Sequence, residues 1–358
     1  MTLSRTSDAL LVLTRLGAGN AGYVLPDSID WAELKVLAEQ HGLSAIVMDG
    51  IERLPESKRP TQAFLLEWIG EILQNYEYLY DQYGKAICEL AGFYNRHGYK
   101  MMVLKGYACS LDWPKPSHRP CGDIDIWLFG KQKEADDALM SEKRISIDTS
   151  EHHHTVFYWR DFMVENHYDF INVHHHKSNV KIEQILKDFG QDDSHSVELY
   201  CEKVYLPSPN LHALFLLKHL MMHFAAEGIM LRQLLDWGFY AKAHSKEIDW
   251  DWLVGVLKQY GMFDMFNILN AICVEDFGFS SIIFPTVQFN PFLKDKVLNE
   301  VICPKYGSEL PKWFMMRFIF KIRRWKANEW KHRLCYKESM WSAFWSGVMS
   351  HLIKPSSI

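Results

Sequence analysis

Gly122-Asp-Ile-Asp-Ile-Trp-Leu-Phe129 decides the reading of this chain. Acidic and apolar residues alternate here, and a strand sends successive side chains to opposite faces. Asp123 and Asp125 therefore point one way while Ile124 and Ile126 point the other. Two carboxylates side by side repel each other. Beside a buried apolar strand, that repulsion calls for a cation, and an oxygen-only ligand set suits Mg2+ or Mn2+.

Outward from that strand, Tyr99-Lys-Met-Met-Val-Leu-Lys-Gly106 reads as a buried strand running into a turn, and 107–113 as a short helix. The segment Pro114-Lys-Pro-Ser-His-Arg-Pro120 reads as an extended loop, because its prolines withhold backbone donors. Residues 155–159 and 162–167 read as a hairpin turning at Arg160-Asp161. The second strand of that hairpin carries Glu165. A pair of divalent ions about 3.5–4 Å apart clamps the attacking and leaving oxygens of a phosphoryl displacement, which takes a third carboxylate from a neighbouring strand. Glu165 is the candidate. Gly106 and Gly122 mark the two strand–turn junctions where backbone can approach a phosphate, and Lys105 and Arg119 bring positive charge to the same place. A D-x-D pair taken alone also fits an exposed edge strand; it is this surrounding set that favours a site.

The flanks have a different texture. Apolar residues recur at three- and four-residue steps from 62 to 97, and Asn95-Arg-His-Gly98 has the basic last turn and glycine that end a helix. Helical patterns resume at Ser208-Pro-Asn210 and run through Asp249-Trp-Asp-Trp-Leu253 into the tail. The expected architecture is α+β: a helical region over 1–97, a small mixed-sheet core over 98–206 and a second helical region over 207–358. No repeat or low-complexity linker separates them.

Composition narrows the function classes. Of 358 residues, 48% are hydrophobic and 23% charged, which excludes a disordered chain. The seven cysteines are scattered and form no C-x-x-C pair, which argues against a disulfide framework and for a reducing cytoplasm. The sequence has neither a secretory leader nor an apolar run of about 18 residues, so a soluble protein with no transmembrane segment is expected. A net charge of −5 gives no overall attraction for nucleic acid.

Together, Leu104-Lys-Gly106, Arg119-Pro-Cys-Gly-Asp-Ile-Asp-Ile126 and Val164-Glu-Asn-His167 resemble the bacterial uncharacterised nucleotidyltransferase family of the DNA polymerase beta-like superfamily. His219 and His223, then Leu231-Arg-Gln-Leu-Leu-Asp236 and Ile248-Asp-Trp250, resemble that family's later motifs, so the similarity covers roughly 98–253. The resemblance implies two Mg2+ or Mn2+ ions on Asp123, Asp125 and Glu165. It also implies a nucleoside triphosphate such as ATP near Lys105, Gly106, Arg119 and Gly122, and transfer of a nucleotidyl group with release of pyrophosphate. The wider superfamily has Gly-Ser at the first turn where this chain has Lys105-Gly106, so a charge stands in for a hydroxyl. The acceptor, whether small molecule, protein or RNA, does not follow, because one fold serves many substrates. A non-catalytic nucleotide- or protein-binding module on the same fold is the alternative.

Other features compete with plainer readings. His167 falls on the face of Glu165 and is placed to orient a metal or a phosphate. His152-His-His154 and His174-His-His176 flank that strand, but neighbours on a strand point to opposite faces, which weighs against zinc. His219 and His223 share a helix face at i, i+4 without the glutamate of a zinc-protease motif, and are expected as packing groups or as groups bordering the site. Arg232 and Asp236, also i, i+4, fit a helix-surface ion pair at the edge of the site. Finally, Lys312-Trp-Phe-Met-Met-Arg-Phe-Ile-Phe-Lys-Ile-Arg-Arg-Trp-Lys326 mixes aromatics with bases. It fits a helix with a solvated basic face, and also a membrane-surface or nucleic-acid contact.

Overall fold

Alternation at residues 122–129 does produce a strand, and it lies inside a mixed sheet. A computed structural model describes residues 3–22, 24–174, 176–306, 313–343 and 345. Its sheet comprises β1 (Met102–Val103), β2 (Ile124–Trp127), β3 (His154–Trp159), β4 (Phe162–His167), β5 (Ser196–Leu199) and β6 (Glu202–Tyr205). Their order is β3-β4-β2-β1-β6-β5. The β2–β4 and β1–β6 pairs are parallel, and the other three are antiparallel. The architecture is α+β, as expected.

Local chemistry explains where the elements depart from expectation. The strand expected over 99–106 contracts to two residues, because Lys105 already opens a helix, Lys105–Ser110, and Leu104 N–H closes on Asp125 O at 2.9 Å. The 62–97 pattern is helical throughout but not uniform: Gln62–Ile72 and Leu79–Arg96 are α-helical, with a π-helical segment at Leu73–Tyr78 between them. It ends at Gly98, whose φ of +75° suits glycine. The loop over 114–120 is not fully extended. A 3-10 turn at Pro116–His118 lets Lys115 Nζ and His118 Nδ1 both reach Asp49, at 2.5 and 2.7 Å. The β5–β6 hairpin and the helices Gln132–Ala138 and Lys177–Phe189 have no counterpart in the sequence reading. A four-residue strand half open to solvent carries too little alternation to read.

Packing divides the described chain into two units: one drawn from 1–74, 113–119 and 217–337, the other from 75–112, 120–216 and 338–358. The second holds the sheet. The helix Leu79–Arg96 lays Tyr83, Ala86, Ile87, Leu90 and Tyr94 at helical spacing against Ile124, Ile126, Leu128, Phe157 and Val164, all buried. At about 25 cal/mol per Å2 of apolar surface, burying each of the larger aliphatic side chains and phenylalanines among them contributes roughly 1.5–3 kcal/mol. That burial fixes which face of β2 turns inward, and the aspartates must take the other.

The first unit is helical. Its helices Arg5–Gly17 and Ser44–Glu52 touch backbone to backbone: a Cβ at Gly17 would lie 1.9 Å from Ile46 O, and one at Gly50 would lie 2.0 Å from Leu13 O. No side chain larger than hydrogen fits there. In the tail, the helix Phe314–Ala327 leaves Met316, Ile319 and Ile322 exposed, along with Trp313 before it and Arg317, Lys321 and Arg323 within it. Lys312 lies outside the described residues. Among the described residues, no helix is long and apolar enough to cross a membrane.

Candidate active site

Register brings the site together. In the parallel β2–β4 pair, Asp125 lies opposite Glu165 and Trp127 opposite His167, so Asp125, Glu165 and His167 share the face turned away from the apolar core. Ligand atoms of these three residues lie within 4.8 Å of one another. Neither residue spacing nor motif could show this, since the partners are 40 residues apart in the chain.

Asp125 is buried, at 5% exposure, and its Oδ1 receives two positively poised groups: Lys105 Nζ at 2.6 Å and His167 Nε2 at 3.1 Å. Burial works against its ionisation, but the Lys105 charge and the His167 hydrogen bond outweigh that and hold its carboxyl well below the usual range. His167 Nε2 also lies 3.5 Å from Glu165 Oε2, while its Nδ1 faces Asp169 O at 3.1 Å. With Nδ1 donating to a backbone carbonyl, Nε2 can donate to the carboxylates as well only in the imidazolium, where both ring nitrogens carry a proton. Burial lowers the His167 pKa, but the bonds to Asp125 and Glu165 reverse the balance, and the net shift is upward.

Asp123 stands just before β2 and is exposed, with its carbonyl accepting a 2.7 Å hydrogen bond from the Tyr83 hydroxyl. Gly106 makes that bond possible: a Cβ there would come within 2.5 Å of Tyr83 Oη. Gly122 is exposed, with open space where a Cβ would sit. Lys105 adopts φ +33°, unusual for a residue with a side chain, which marks the first turn as a constrained one.

Arg119 takes a different position. In the helical unit its Nε and one terminal nitrogen each bond to Asp236, both at 2.8 Å, and Trp113 Nε1 adds a third bond at 2.9 Å. This bidentate, buried arrangement ties the 113–119 segment to the helix Leu231–His244. The expected i, i+4 neighbour of Asp236, Arg232, lies on the same helix. His219 and His223 lie in this unit too, 3.1 Å apart at their Nε2 atoms.

Two histidines outside the expected constellation join it. His154 lies directly across from His167 in the β3–β4 pairing, with its Nε2 3.9 Å from Glu165 Oε1. His153 O accepts from both Tyr168 N and Asp169 N, at 3.1 and 3.0 Å. Two successive amides on one carbonyl form a bulge on the Tyr168–Asp169 side, and His153 itself lies just before β3. The alternation expected of neighbouring strand histidines therefore does not apply to the His153–His154 pair. Ligand nitrogens of His153, His154 and His167 lie within 4.8 Å of one another. Burial leads the shift at both added rings, lowering His154 and pushing His153 down to about 2.

Asp125, Glu165 and His167 offer two hard oxygens and one nitrogen on a wall of low dielectric, a donor set that fits a divalent cation. A search of curated proteins finds no match. Among solved structures, the chain is similar to an antigenic nucleotidyltransferase-like protein from Paracoccidioides brasiliensis. The identity is 14%, over 50% of this chain and 88% of that one, with a TM-score of 0.34, a likeness too slight to carry an argument. The family comparison is stronger: a model of an uncharacterised nucleotidyltransferase family matches residues 27–278. It reaches past both ends of the stretch marked out by the motifs and takes in more than two thirds of the chain. By that match, this chain belongs to the uncharacterised nucleotidyltransferase family.

Proposed function

We propose that this chain moves a nucleoside monophosphate from a nucleoside triphosphate to a hydroxyl acceptor, releasing pyrophosphate. The observation that carries this reading is the register placing Asp125 opposite Glu165, with His167 Nε2 against both. Asp125 and Glu165, with Asp123 at the rim, would hold Mg2+ or Mn2+. Ions bound there supply charge against the electrons building up on the phosphate and ease loss of the acceptor's proton.

The chain's own groups do the rest. Glu165 is the less buried of the two carboxylates on the shared face, and there it accepts the acceptor's proton at a carboxylate oxygen. Lys105 Nζ, already at Asp125, offsets the triphosphate charge, a task expected of Lys105 and Arg119 jointly. His167 holds the two carboxylates in register through its Nε2. The wall behind them excludes water: Trp127 stacks on Phe170 at 4.3 Å, and Phe170 packs edge-on against Phe215 at 5.8 Å.

The test is incubation of the purified chain with each α-phosphate-radiolabelled nucleoside triphosphate, Mg2+ or Mn2+, and cell extract, comparing wild type with Asp125→Asn. Label passed to an acceptor by wild type alone supports the reading, and retained transfer in Asp125→Asn overturns the site assignment. One observation favours a second reading, a nucleotide- or protein-binding module without turnover: Lys105 already neutralises Asp125 within the chain. Metal-dependent nucleotide binding without transfer would support it.

A further inference from the structure

We propose that His153, His154 and His167 form a nitrogen-rich position for a borderline divalent transition ion of the Zn2+ class, adjoining the carboxylates. Three imidazoles converge here, from β3, the residue just before it and β4. Ring centroids are 4.2 Å apart for His153–His154, 5.2 Å for His154–His167 and 5.7 Å for His153–His167. The ligand nitrogens lie within 4.8 Å of one another. A tetrahedral zinc with bonds of about 2.0–2.1 Å holds its nitrogens somewhat closer, so modest ring rotations complete the fit.

Two further observations point to a ligand. The Nδ1 atoms of His153 and His154 are buried with no hydrogen-bond partner, and His154 is 7% exposed. A buried polar nitrogen left without a partner costs about 1–3 kcal/mol, and coordination is one way to satisfy it. In addition, Glu165 is placed between the two sets: its Oε1 faces His154 at 3.9 Å and its Oε2 faces His167 at 3.5 Å. It meets the His154 ring at Nε2, the nitrogen other than the unpartnered Nδ1, and so borders this position while still lying opposite Asp125.

Donor chemistry then separates the two positions. Imidazole nitrogen favours Zn2+, Co2+ or Ni2+ over Mg2+, whereas the Asp125 side offers the oxygens Mg2+ prefers. The position shares His167 and Glu165 with the proposed catalytic site, but it does not depend on turnover.

The experiment titrates the full chain, produced without a polyhistidine tag and stripped with chelator, with Co2+ in a large excess of Mg2+, following visible absorption and bound metal. The expected result is one equivalent of Co2+, displaced by Zn2+, with affinity falling at least about tenfold in His153→Gln and in His154→Gln. His195→Gln, a histidine outside the cluster, should bind as wild type. The glutamine variants keep size and polarity, and circular dichroism confirms their fold. If wild type takes up no Co2+ in Mg2+, or if binding survives both substitutions or drops equally in His195→Gln, the proposal is overturned. The nucleotide-transfer assay is read separately, so failure of one reading does not mask the other.

Discussion

Lys105 Nζ lies 2.6 Å from Asp125 Oδ1, so the carboxylate at the centre of the site has a cation from its own chain. Removing one partner of a buried pair leaves the other uncompensated, at a cost of about 3–5 kcal/mol; Lys105 is partly open, which places this case at the lower end. Lys105→Met should therefore lower stability by roughly 3 kcal/mol in chelator. Mn2+ should restore much of it by taking over the lysine's place. Urea unfolding with and without Mn2+ reads both effects. A variant as stable as wild type, or one that Mn2+ leaves unchanged, would show that the pair is not the site's counter-charge.

The Arg119–Asp236 pair predicts a stability effect of a different origin. Both residues are buried, and Trp113 adds its own bond to Asp236. Asp236→Ala should cost about 3–5 kcal/mol by stranding the guanidinium. Arg119→Lys should also destabilise, because an ammonium cannot reproduce the fork. Nucleotide affinity of the folded Arg119→Lys protein should change much less than its melting temperature. A large loss of affinity at unchanged stability would instead return Arg119 to the triphosphate.

Gly106 and Tyr83 should couple. A methyl at Gly106 collides with the hydroxyl that bonds to Asp123 O, and Tyr83 is fully buried against Phe162, so it has little room to retreat. Gly106→Ala is expected to cost about 1–3 kcal/mol by overpacking. Adding Tyr83→Phe removes the colliding oxygen, so the double variant should be less destabilised than the two single changes summed. Strict additivity in denaturant unfolding would contradict the contact.

Glu183 predicts a pH dependence. Its carboxylate accepts from Phe170 N and Ile171 N, both at 3.0 Å, yet burial outweighs those bonds and raises its pKa to about 7. Between the usual glutamate value of about 4.3 and about 7, the folded chain holds a proton that the unfolded chain has lost. The contribution is full below the lower value and is lost as pH rises through the upper. Stability should fall by up to about 1.4 kcal/mol per pH unit across that window. Glu183→Gln should flatten the slope in unfolding experiments run from pH 5 to pH 8; an unchanged slope would assign it to other groups.

Much of this protein is legible in its residues. Alternation at 122–129 determines which side of β2 is buried, because Ile124 and Ile126 can only be covered by apolar partners, and the helix Leu79–Arg96 carries a matching stripe. The hairpin at Arg160-Asp161 and the helix stop at Gly98 are likewise local consequences of residue type and spacing, whereas Glu165 could be named as a candidate from its strand but its register opposite Asp125 is set by a parallel pairing across 40 residues. Tertiary structure alone decided which charges meet. The sequence offers Lys105 and Arg119 as equivalent cations near one loop, but Lys105 reaches Asp125 while Arg119 is held by Asp236, 117 residues away. It also decided the fate of the histidines. Period-two alternation would send His153 and His154 apart, but His153 lies before β3, outside the regular strand, and the fold brings ligand nitrogens of both within 4.8 Å of that of His167. Side-chain direction within a regular strand follows from backbone geometry and can be read from spacing. Long-range ion pairs and breaks in register depend on partners the chain supplies from elsewhere, and no local pattern encodes them.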